Sequence, residues 1–570
     1  MATTTSLSSS SGNISVPSAP PLRVQVASFN CNLQGSSAVA PDLSHWLVPT
    51  LSEKDARFVA VDEKQGRPAP DIYAVGFQEL VDLPDGFSGN AAMQSAIKRT
   101  DLAIRRAIRP QAATTRPDGM YPPGGGPEDY TLLAEVHLVG IVLFVYARER
   151  APVAGLSGPK SAVERVKEVR ASSAGTGLLG LMGNKGAAGV RVVLEGAFPG
   201  MPDETLTFVC AHLAAHDHNV PRRNNDWKNI VRRLVFDQAS VRKLPALPIT
   251  PSQGGKKSTD KEEDEEMQGL TEKYETEKSA RFQSRKPVAL DAEAHSIYDT
   301  SHLFVFGDLN YRIGFNTKPS AHLARKGQED VVLKRSDVKR KINQADWKTL
   351  ATYDQLAAQH RPSEGGPKAF HGLVEPDIRT WGHGPTYKFK VDKAARKQLQ
   401  KQQQTEGGDN KEQPGVAPVM GHNAGELSGK RVPGWTDRIL WASAGSASDD
   451  LQGVTPELYR SIMRYTHSDH KPVTAILRLS PPASSSAHLD PSTRPFGIDG
   501  AYRTKALLGL ILDRILGYIW SALVTAGAGN VIVGILELVG VAILSVWYLR
   551  VGGSQQSDLA YWLGNVLGRP

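Results

Sequence analysis

A series of short apolar runs, separated by polar and glycine-rich sequence, dictates which folds this chain can adopt. The runs cover residues 24–29, 71–77, 136–147, 187–194, 206–212, 302–306 and 473–479. Runs of this length between turn-forming residues predict buried strands. Residues 222–236 instead place their apolar side chains on one face of a helix. Strands interspersed with helices predict a layered α/β (α+β) domain.

The predicted folded domain covers residues 22–480 and is flanked by segments of different composition. Residues 1–21 are rich in Ser, Thr, Ala and Pro and lack the basic start and apolar centre of a secretory signal, so we expect them to be disordered. Two polar stretches, about residues 237–294 and 391–429, are predicted to be disordered surface inserts because neither has enough apolar residues for a core. Residues 481–500, rich in Pro and Ser, are predicted to be a linker.

Residues 501–570 are predicted to anchor the chain to a membrane. The main predicted span is residues 531–549, an apolar run with a single charged residue that is long enough to cross the hydrocarbon core. Residues 506–526 are also apolar but contain Asp513 and Arg514, which leaves open whether they span, lie flat or pack on the folded domain. A buried helical hairpin is the alternative, and the continuity of the run and the linker before it argue against that alternative.

Without a secretory signal, such an anchor leaves the folded domain in the cytosol. A short span with few flanking charges favours the endoplasmic reticulum, whose bilayer is slightly thin. The formal net charge of +8 favours anionic partners, which include phospholipid headgroups, inositol phosphates and nucleic acid. The two cysteines, Cys31 and Cys210, lie in apolar sequence and are predicted to be buried free thiols. Two cysteines are too few for a disulfide framework or a cysteine zinc site.

Polar residues of the kinds that a metal-assisted phosphatase needs lie next to several predicted strands. They are Asn30, Glu79, His212, Asp308 with Asn310, and Asp469 with His470. Active sites of layered α/β folds collect at strand ends, where loops aim side chains into one crevice. Oxygen ligands such as those of Glu79 and Asn30 suit Mg²⁺. A carboxylate such as Asp308 can take a proton from water, and a held imidazole such as His470 can stabilise a developing negative charge.

Over residues 22–480 the chain resembles the inositol polyphosphate 5-phosphatases of the DNase-like exonuclease–endonuclease–phosphatase superfamily. The matching blocks, in the order found in that family, are residues 70–80, 183–186, 212–216 with 222–224, 306–312, 385–389, 431–438 and 468–473. The blocks around Asp308 and Trp435 are specific to 5-phosphatases, whereas the Gln-Glu and Ser-Asp-His pieces also fit nucleases. The resemblance implies a DNase-I-like four-layer β-sandwich flanked by helices, here with a C-terminal transmembrane helix.

The resemblance implies a role for each matching residue near the metal and the water. Glu79 would bind Mg²⁺, with Asn30 and Asp469 close to the ion. Asp308 would activate the attacking water. Asn310 would orient the water and the phosphate.

The remaining matches imply contacts with the substrate. His212 would contact the scissile phosphate, and Asp437 would hold His470, which would stabilise the transition state. The residues that would grip the neighbouring ring phosphates are Asn184, Lys185, Tyr387, Lys388 and Arg431. The departures from the family pattern, at Phe29, Gly434, Thr436 and His467, remove no chemical group that this mechanism requires.

The implied function is Mg²⁺-dependent hydrolysis of a phosphoinositide 5-phosphate. The favoured reaction converts phosphatidylinositol 4,5-bisphosphate to phosphatidylinositol 4-phosphate by in-line attack of water, without a phosphoenzyme. Three alternatives stay open: action on soluble inositol polyphosphates, a nuclease of the same superfamily, and a catalytically silent membrane tether. The predicted anchor favours a lipid substrate, and no nucleic-acid partner is expected.

Overall fold

The computed structural model of the protein describes most of the predicted folded domain and one helix after it. The described residues are 21–32, 43–48, 69–108, 129–149, 160–198, 200–244, 291–320, 323–324, 326–360, 370–380, 384–391, 426–428, 431–444, 453–463, 465–480 and 488–526. The predicted disordered N-terminus up to residue 20, most of the two predicted inserts and the predicted span at 531–549 lie outside these residues.

Eleven strands in the described part of the chain form two sheets. They are β1 (Leu22–Asn30), β2 (Ile72–Gln78), β3 (Tyr130–Leu138), β4 (Ile141–Arg148), β5 (Val166–Gly175), β6 (Gly186–Leu194), β7 (Glu204–His212), β8 (His302–Asp308), β9 (Asp437–Ser443), β10 (Val454–Ser461) and β11 (Val473–Leu479). The first sheet has the order β10–β11–β1–β2–β4–β3 and the second has the order β5–β6–β7–β8–β9. Only β1 with β2 and β7 with β8 pair in parallel; the other neighbours are antiparallel.

The α-helices of the described residues are short, apart from three. They are α1 (Ser44–Leu47), α2 (Leu83–Ser88), α3 (Ala91–Ile108), α4 (Ala162–Arg165), α5 (Val220–Arg233), α6 (Arg335–Asn343), α7 (Trp347–Ala351), α8 (Gln355–His360) and α9 (Tyr502–Ala526). In α5 the buried residues include Trp227, Ile230 and Val231, which lie on one face as the sequence predicts.

Alternating side chains divide the core into the layers of a sandwich. In β1, Val24 and Val26 point into the cluster between the two sheets, whereas Phe29 points to the outer face that α3 covers. Val209 of β7 points to the other outer face and packs with Trp227 of α5. Because successive residues of a strand point to opposite faces, strands buried on both faces read as continuous apolar runs. The predicted layered α/β fold, two sheets flanked by helices, is confirmed.

The prediction of one strand over residues 136–147 is wrong. The chain reverses at Val139 and Gly140, so that β3 ends at Leu138 and β4 begins at Ile141. Val139 has φ +54°, a backbone conformation that β-branched residues rarely adopt. The apolar run concealed this turn because Val139 is itself buried.

Parts of the predicted inserts and linker lie against the domain. Residues 237–244 of the first predicted insert are described, and Ser240 and Leu244 there are buried. In the second, Leu427 pairs with Phe389 in an isolated bridge. Over its described part, residues 488–500, the predicted linker follows the domain surface, and the Leu489 amide donates to the Thr300 carbonyl.

The helix α9 is the one candidate membrane span among the described residues. Residues Tyr502–Leu523 have a mean hydropathy of 1.6 and are 17% buried. Length and composition alone are weak evidence for a span, and α9 contacts the domain along much of its length.

Candidate active site

Strand ends from both sheets meet at one edge of the sandwich. In the second sheet, Gly186 pairs with His212, His212 with Asp308, and Asp308 with Asp437, so these residues form a single row across four strands. In the first sheet β1 ends at Asn30, opposite Gln78 of β2. A hydrogen bond of 3.0 Å from Asn30 Nδ2 to Asp308 Oδ2 joins the two rows.

Asp308 is the centre of this cluster and is 1% exposed. Its Oδ1 accepts the Asn310 backbone N–H, and its Oδ2 accepts the Asn310 side-chain amide, both at 3.0 Å. His212 Nε2 lies 3.3 Å from Oδ2, and His470 Nε2 lies 3.8 Å from it. Burial alone would raise the pKa of Asp308, but His470, His212 and Lys185 together hold it well below its usual range. Asp308 is therefore a buried carboxylate that stays ionised.

Backbone geometry turns Asn310 towards Asp308. Its φ is +58°, a left-handed conformation that Asn tolerates better than most residues. The side-chain amide then donates to both Asp308 and the Leu213 carbonyl. Its oxygen accepts from Arg312 Nη2 at 3.2 Å.

His470 is held by Asp437. The Nδ1 of His470 lies 3.0 Å from Asp437 Oδ2, which also accepts the hydroxyls of Thr386 at 2.7 Å and Thr436 at 3.0 Å. The Tyr387 ring packs beside the imidazole, with the ring centroids 4.4 Å apart. Burial would lower the pKa of His470, but the carboxylates of Asp437 and Asp308 raise it to about 10. The two carboxylates therefore favour the protonated form of His470.

Two groups of residues at this edge of the sandwich contain potential metal ligands. Among the described residues, Asp308, Asp437 and His470 have ligand atoms within 4.8 Å of one another. In this group the Nδ1 of His470 pairs with Asp437 and its Nε2 faces Asp308, so the three residues form an ion-pair network. Glu79 follows β2, and its side chain is 32% exposed, 3.8 Å from His212. The carboxylate of Glu79 and the amide of Asn30 are the hard oxygen donors that suit Mg²⁺.

The loop before β6 supplies a half-buried lysine. Lys185 Nζ lies 2.7 Å from His212 Nε2, and burial lowers the pKa of this lysine although Glu79 and Asp308 oppose the shift. Asn184, next to it, accepts the Leu178 backbone N–H at 3.3 Å. Glu79, His212, Asn184 and Lys185 line one cleft, together with apolar residues that include Val81, Leu83 and Val139.

The other predicted substrate residues lie around the opposite side of the cluster. Lys388 Nζ forms an ion pair of 2.5 Å with Asp469, a residue predicted to lie near the metal. Arg431 is exposed, and its Nη1 lies 3.4 Å from His216 Nδ1. Most of the predicted catalytic residues are thus linked by direct hydrogen bonds or ion pairs. Arg431 lies at the exposed edge of the site.

Sequence reasoning missed several residues that position the cluster. Arg312 is 2% exposed, holds Asn310 and stacks over the Tyr387 ring at 4.8 Å. Ser468 Oγ donates to the Asn30 carbonyl at 2.7 Å and so ties β1 to the loop that carries His470. Arg312, Ser468 and Thr386 all lie inside the motif blocks of the resemblance. Their place in those blocks was the sequence signal that could have identified them.

The chain is similar to several known proteins. The sequence profile of the Endonuclease/Exonuclease/phosphatase family 2 matches residues 27–476. The chain is 24% identical over 477 residues to Synaptojanin-2 of Rattus norvegicus, which is 79% of this chain and 21% of that protein. It is 25% identical over 409 residues to the type II inositol 1,4,5-trisphosphate 5-phosphatase of Mus musculus, which is 72% of this chain and 26% of that protein. The chain thus spans about a quarter of the length of these curated relatives.

A solved structure is also similar. It is the inositol polyphosphate 5-phosphatase domain of SPsynaptojanin in complex with inositol (1,4)-bisphosphate and a calcium ion. The TM-score is 0.45 and the identity 21%, and the match covers 88% of this chain and 92% of that one.

Proposed function

The chain belongs to the Endonuclease/Exonuclease/phosphatase family 2, and from this premise we propose that it removes the 5-phosphate of inositol phospholipids. The favoured substrate is phosphatidylinositol 4,5-bisphosphate, and soluble inositol polyphosphates are further candidates. One observation carries the proposal: an ionised carboxylate, Asp308, lies between two histidines at a strand edge that is flanked by basic residues. Such a site can accept a proton from water while its cations attract a phosphate.

Asp308 would act as the general base. Its Oδ2 takes the proton of a water molecule as the oxygen of that water attacks the 5-phosphorus in line with the departing ring oxygen. Asn310 and Asn30 fix the direction of the carboxylate through their hydrogen bonds. His212 and Lys185 lie side by side, so that both can donate to the oxygens of the phosphate.

His470 would stabilise the negative charge that develops on the phosphoryl group. Because Asp437 keeps the ring protonated and fixed, the imidazolium needs no reorganisation during the reaction. The hydroxyls of Thr386 and Thr436 also donate hydrogen bonds to the Asp437 carboxylate. Hydrolysis is thus direct, without a covalent phosphoenzyme.

Glu79 and Asn30 are the residues that would hold Mg²⁺, with Asp469 nearby. When bound, the ion would supply Lewis-acid shielding of the phosphate charge. Asp469 would also orient Lys388 through their ion pair. Removal of divalent cations is therefore expected to abolish turnover.

A second phosphate on the inositol ring would explain why basic residues lie around the catalytic cluster. Lys388, Arg431 and Tyr387 would grip the 4-phosphate, and Asn184 with Lys185 would reach the ring from the other side. Charge-assisted hydrogen bonds from such groups are stronger than neutral ones. Attachment through residues 501–570 to the endoplasmic reticulum, with the active site in the cytosol, completes the proposal.

The Lys388→Met variant tests the grip on the 4-phosphate. Loss of one charge-assisted contact is expected to lower kcat/KM for phosphatidylinositol 4,5-bisphosphate by about 10–100-fold. The kcat/KM for phosphatidylinositol 3,5-bisphosphate, which has no 4-phosphate, should fall less. The Lys390→Met variant is a matched control, because Lys390 pairs with exposed Glu426 instead. Equal losses for the two substrates would contradict the role of Lys388.

Incubation of the full chain with two substrate classes tests the proposed reaction against the nuclease alternative. With Mg²⁺, short-chain phosphatidylinositol 4,5-bisphosphate should yield phosphate and the 4-phosphate lipid, and a nicked DNA duplex should stay intact. Cleavage of DNA without release of phosphate from lipid would overturn the proposal in favour of a nuclease. Inactivity on both would favour a tether.

A further inference from the structure

One face of α9 is fitted closely to the domain. Its buried residues Gly509, Asp513 and Gly517 follow one another at intervals of four, which places them on one side of the helix. Beside them, Leu512 and Leu516 pack on a small apolar cluster of Phe87, Val139 and Met182. This side of the helix is therefore already occupied by the domain.

The two glycines permit a contact between backbones. A Cβ atom on Gly509 would lie 2.5 Å from the Leu181 carbonyl oxygen, and one on Gly517 would lie 2.4 Å from the Ser88 nitrogen. Real Cβ atoms do not approach so closely, so a larger residue at either position would push the helix away. The sequence of α9 thus suits docking at this place.

Every charged side chain of α9 has a hydrogen-bonding partner outside the helix. The bonds are Arg503 to Asp237 at 2.8 Å, Lys505 to Asp499 at 2.6 Å, Asp513 to the Gly183 amide at 3.1 Å and Arg514 to the Phe87 carbonyl at 3.0 Å. Arg503 and Lys505 remain 69% and 41% exposed in the first turn of the helix, whereas Asp513 and Arg514, the charged residues of α9 after that turn, bond to the domain.

The opposite face of α9 is apolar and exposed. Its residues are Leu507, Leu508, Leu510, Ile511, Ile515, Tyr518 and Ile519, which are 44–64% exposed. The loop beside the helix adds Leu178 and Leu179, which are 58% and 73% exposed. A contiguous apolar surface of this kind marks an interaction site.

The docked side of α9 lies beside residues of the candidate active site. Asp513 binds the amide of Gly183, which directly precedes Asn184 and Lys185. Val139, against which the helix packs, also lines the cleft that contains Glu79. The helix therefore packs against residues that line the site or directly precede the lining residues.

We propose that α9 lies flat on a lipid bilayer, with its exposed face in the interface, and so holds the active-site mouth against the lipid headgroups. The proposal deepens, and rests on, the proposed lipid phosphatase function. A perpendicular span is disfavoured because Asp513 and Arg514 lie at the middle of the helix. Spanning would carry these charges, and the domain residues bonded to them, into the hydrocarbon core. A helix that is docked on a domain by one side and exposes an apolar face on the other is instead suited to the interface.

Lipid is the occupant that the other features favour. The proposed substrate is itself a lipid, and the helix packs beside residues that line the candidate active site. The net charge of +8 suits an anionic bilayer. The chain also continues after α9 into the apolar sequence at residues 531–549.

Spin labels on the full chain test the orientation without reference to activity. Cysteine is placed singly at Leu507, Ile511, Ile515 and Tyr518, and the labelled protein is reconstituted in vesicles of phosphatidylcholine and phosphatidylserine. Relative access to oxygen and to a water-soluble nickel chelate then gives the depth of each label. A flat helix predicts four similar depths, about 5–10 Å into the interface. Depths that rise and fall along the helix would mean a span, and full exposure to the chelate would mean a protein partner or solvent; either result overturns the proposal.

A charge placed on the exposed face tests the consequence for turnover. In Ile515→Glu, the rate on vesicle-borne phosphatidylinositol 4,5-bisphosphate, relative to the rate on its soluble short-chain form, is expected to fall about tenfold. Gly500→Glu is the matched control, because Gly500 is exposed and has open space around it. An unchanged ratio in Ile515→Glu would overturn the orienting role. If the unaltered chain hydrolysed neither substrate, the proposed function would fail, and the label depths would still decide the position of α9.

Discussion

The Asp308→Asn variant is expected to lose about 10³-fold in the rate of phosphate release, because it removes the only group proposed to take the proton of the attacking water. The replacement is isosteric but neutral. It also puts an amide where Asn30, Asn310 and His212 now face a carboxylate. The rate is measured as inorganic phosphate released from short-chain phosphatidylinositol 4,5-bisphosphate.

A matched variant separates this chemical effect from a general effect of charge removal. Asp330 pairs with Lys318 on the surface and has an 87% exposed side chain, so Asp330→Asn should retain the rate of the unaltered chain. Far-ultraviolet circular dichroism and the thermal midpoint report whether Asp308→Asn still folds. A folded Asp308→Asn protein with a near-normal rate would contradict the role of Asp308.

The Arg438→Met variant is expected to lower the free energy of unfolding by about 3–5 kcal/mol. Arg438 follows Asp437 in β9, and both its side chain and that of Asp354 are 0% exposed. Its Nη1 donates to the two oxygens of Asp354 at 3.1 and 3.0 Å, and its other nitrogens donate to Glu375. Without the guanidinium, two buried carboxylates would lose their counter-charge.

Urea denaturation of three further variants checks this explanation. Neutralising both acids in Arg438→Met, by Asp354→Asn and Glu375→Gln, should recover part of the lost stability, since no buried charge is then unpaired. Arg438→Lys should also lose stability, because an ammonium cannot serve both acids in the same planar geometry. Arg379→Met removes a half-exposed pair with Asp377 and should cost less than about 1 kcal/mol. A loss no larger in Arg438→Met than in Arg379→Met would contradict the account.

The strands that the sequence predicts well are those buried on both faces, because their apolar runs are continuous. The strand β5 was missed because Glu168 and Arg170 interrupt it. Both are buried, and their ion pair of 2.8 Å satisfies them inside the fold. Local pattern cannot foresee such a pairing, since the partner that permits burial is known only from the structure.

For the candidate site, the sequence indicates which residue types take part, whereas their mutual geometry needs the fold. The row from His212 through Asp308 to Asp437 depends on strand register, which no local pattern fixes. The pairing of Lys388 with Asp469 was likewise not predicted. The pattern over residues 506–526 left three arrangements open. The spacing of Gly509, Asp513 and Gly517 indicates a helix side that docks on the domain. The high apolar content of the segment obscured this pattern.

Phosphate release by the full chain from lipids in vesicles tests whether the protein is a 5-phosphatase that uses Asp308 as its general base. The lipids are phosphatidylinositol 4-phosphate, 4,5-bisphosphate, 3,5-bisphosphate and 3,4,5-trisphosphate, each with Mg²⁺ or with EDTA, and with Asp308→Asn alongside. We expect Mg²⁺-dependent release from the lipids that carry a 5-phosphate, fastest for the 4,5-bisphosphate, no release from the 4-phosphate, and release about 10³-fold slower from Asp308→Asn. Release from the 4-phosphate lipid, or equal rates for the variant and the unaltered chain, would contradict this expectation.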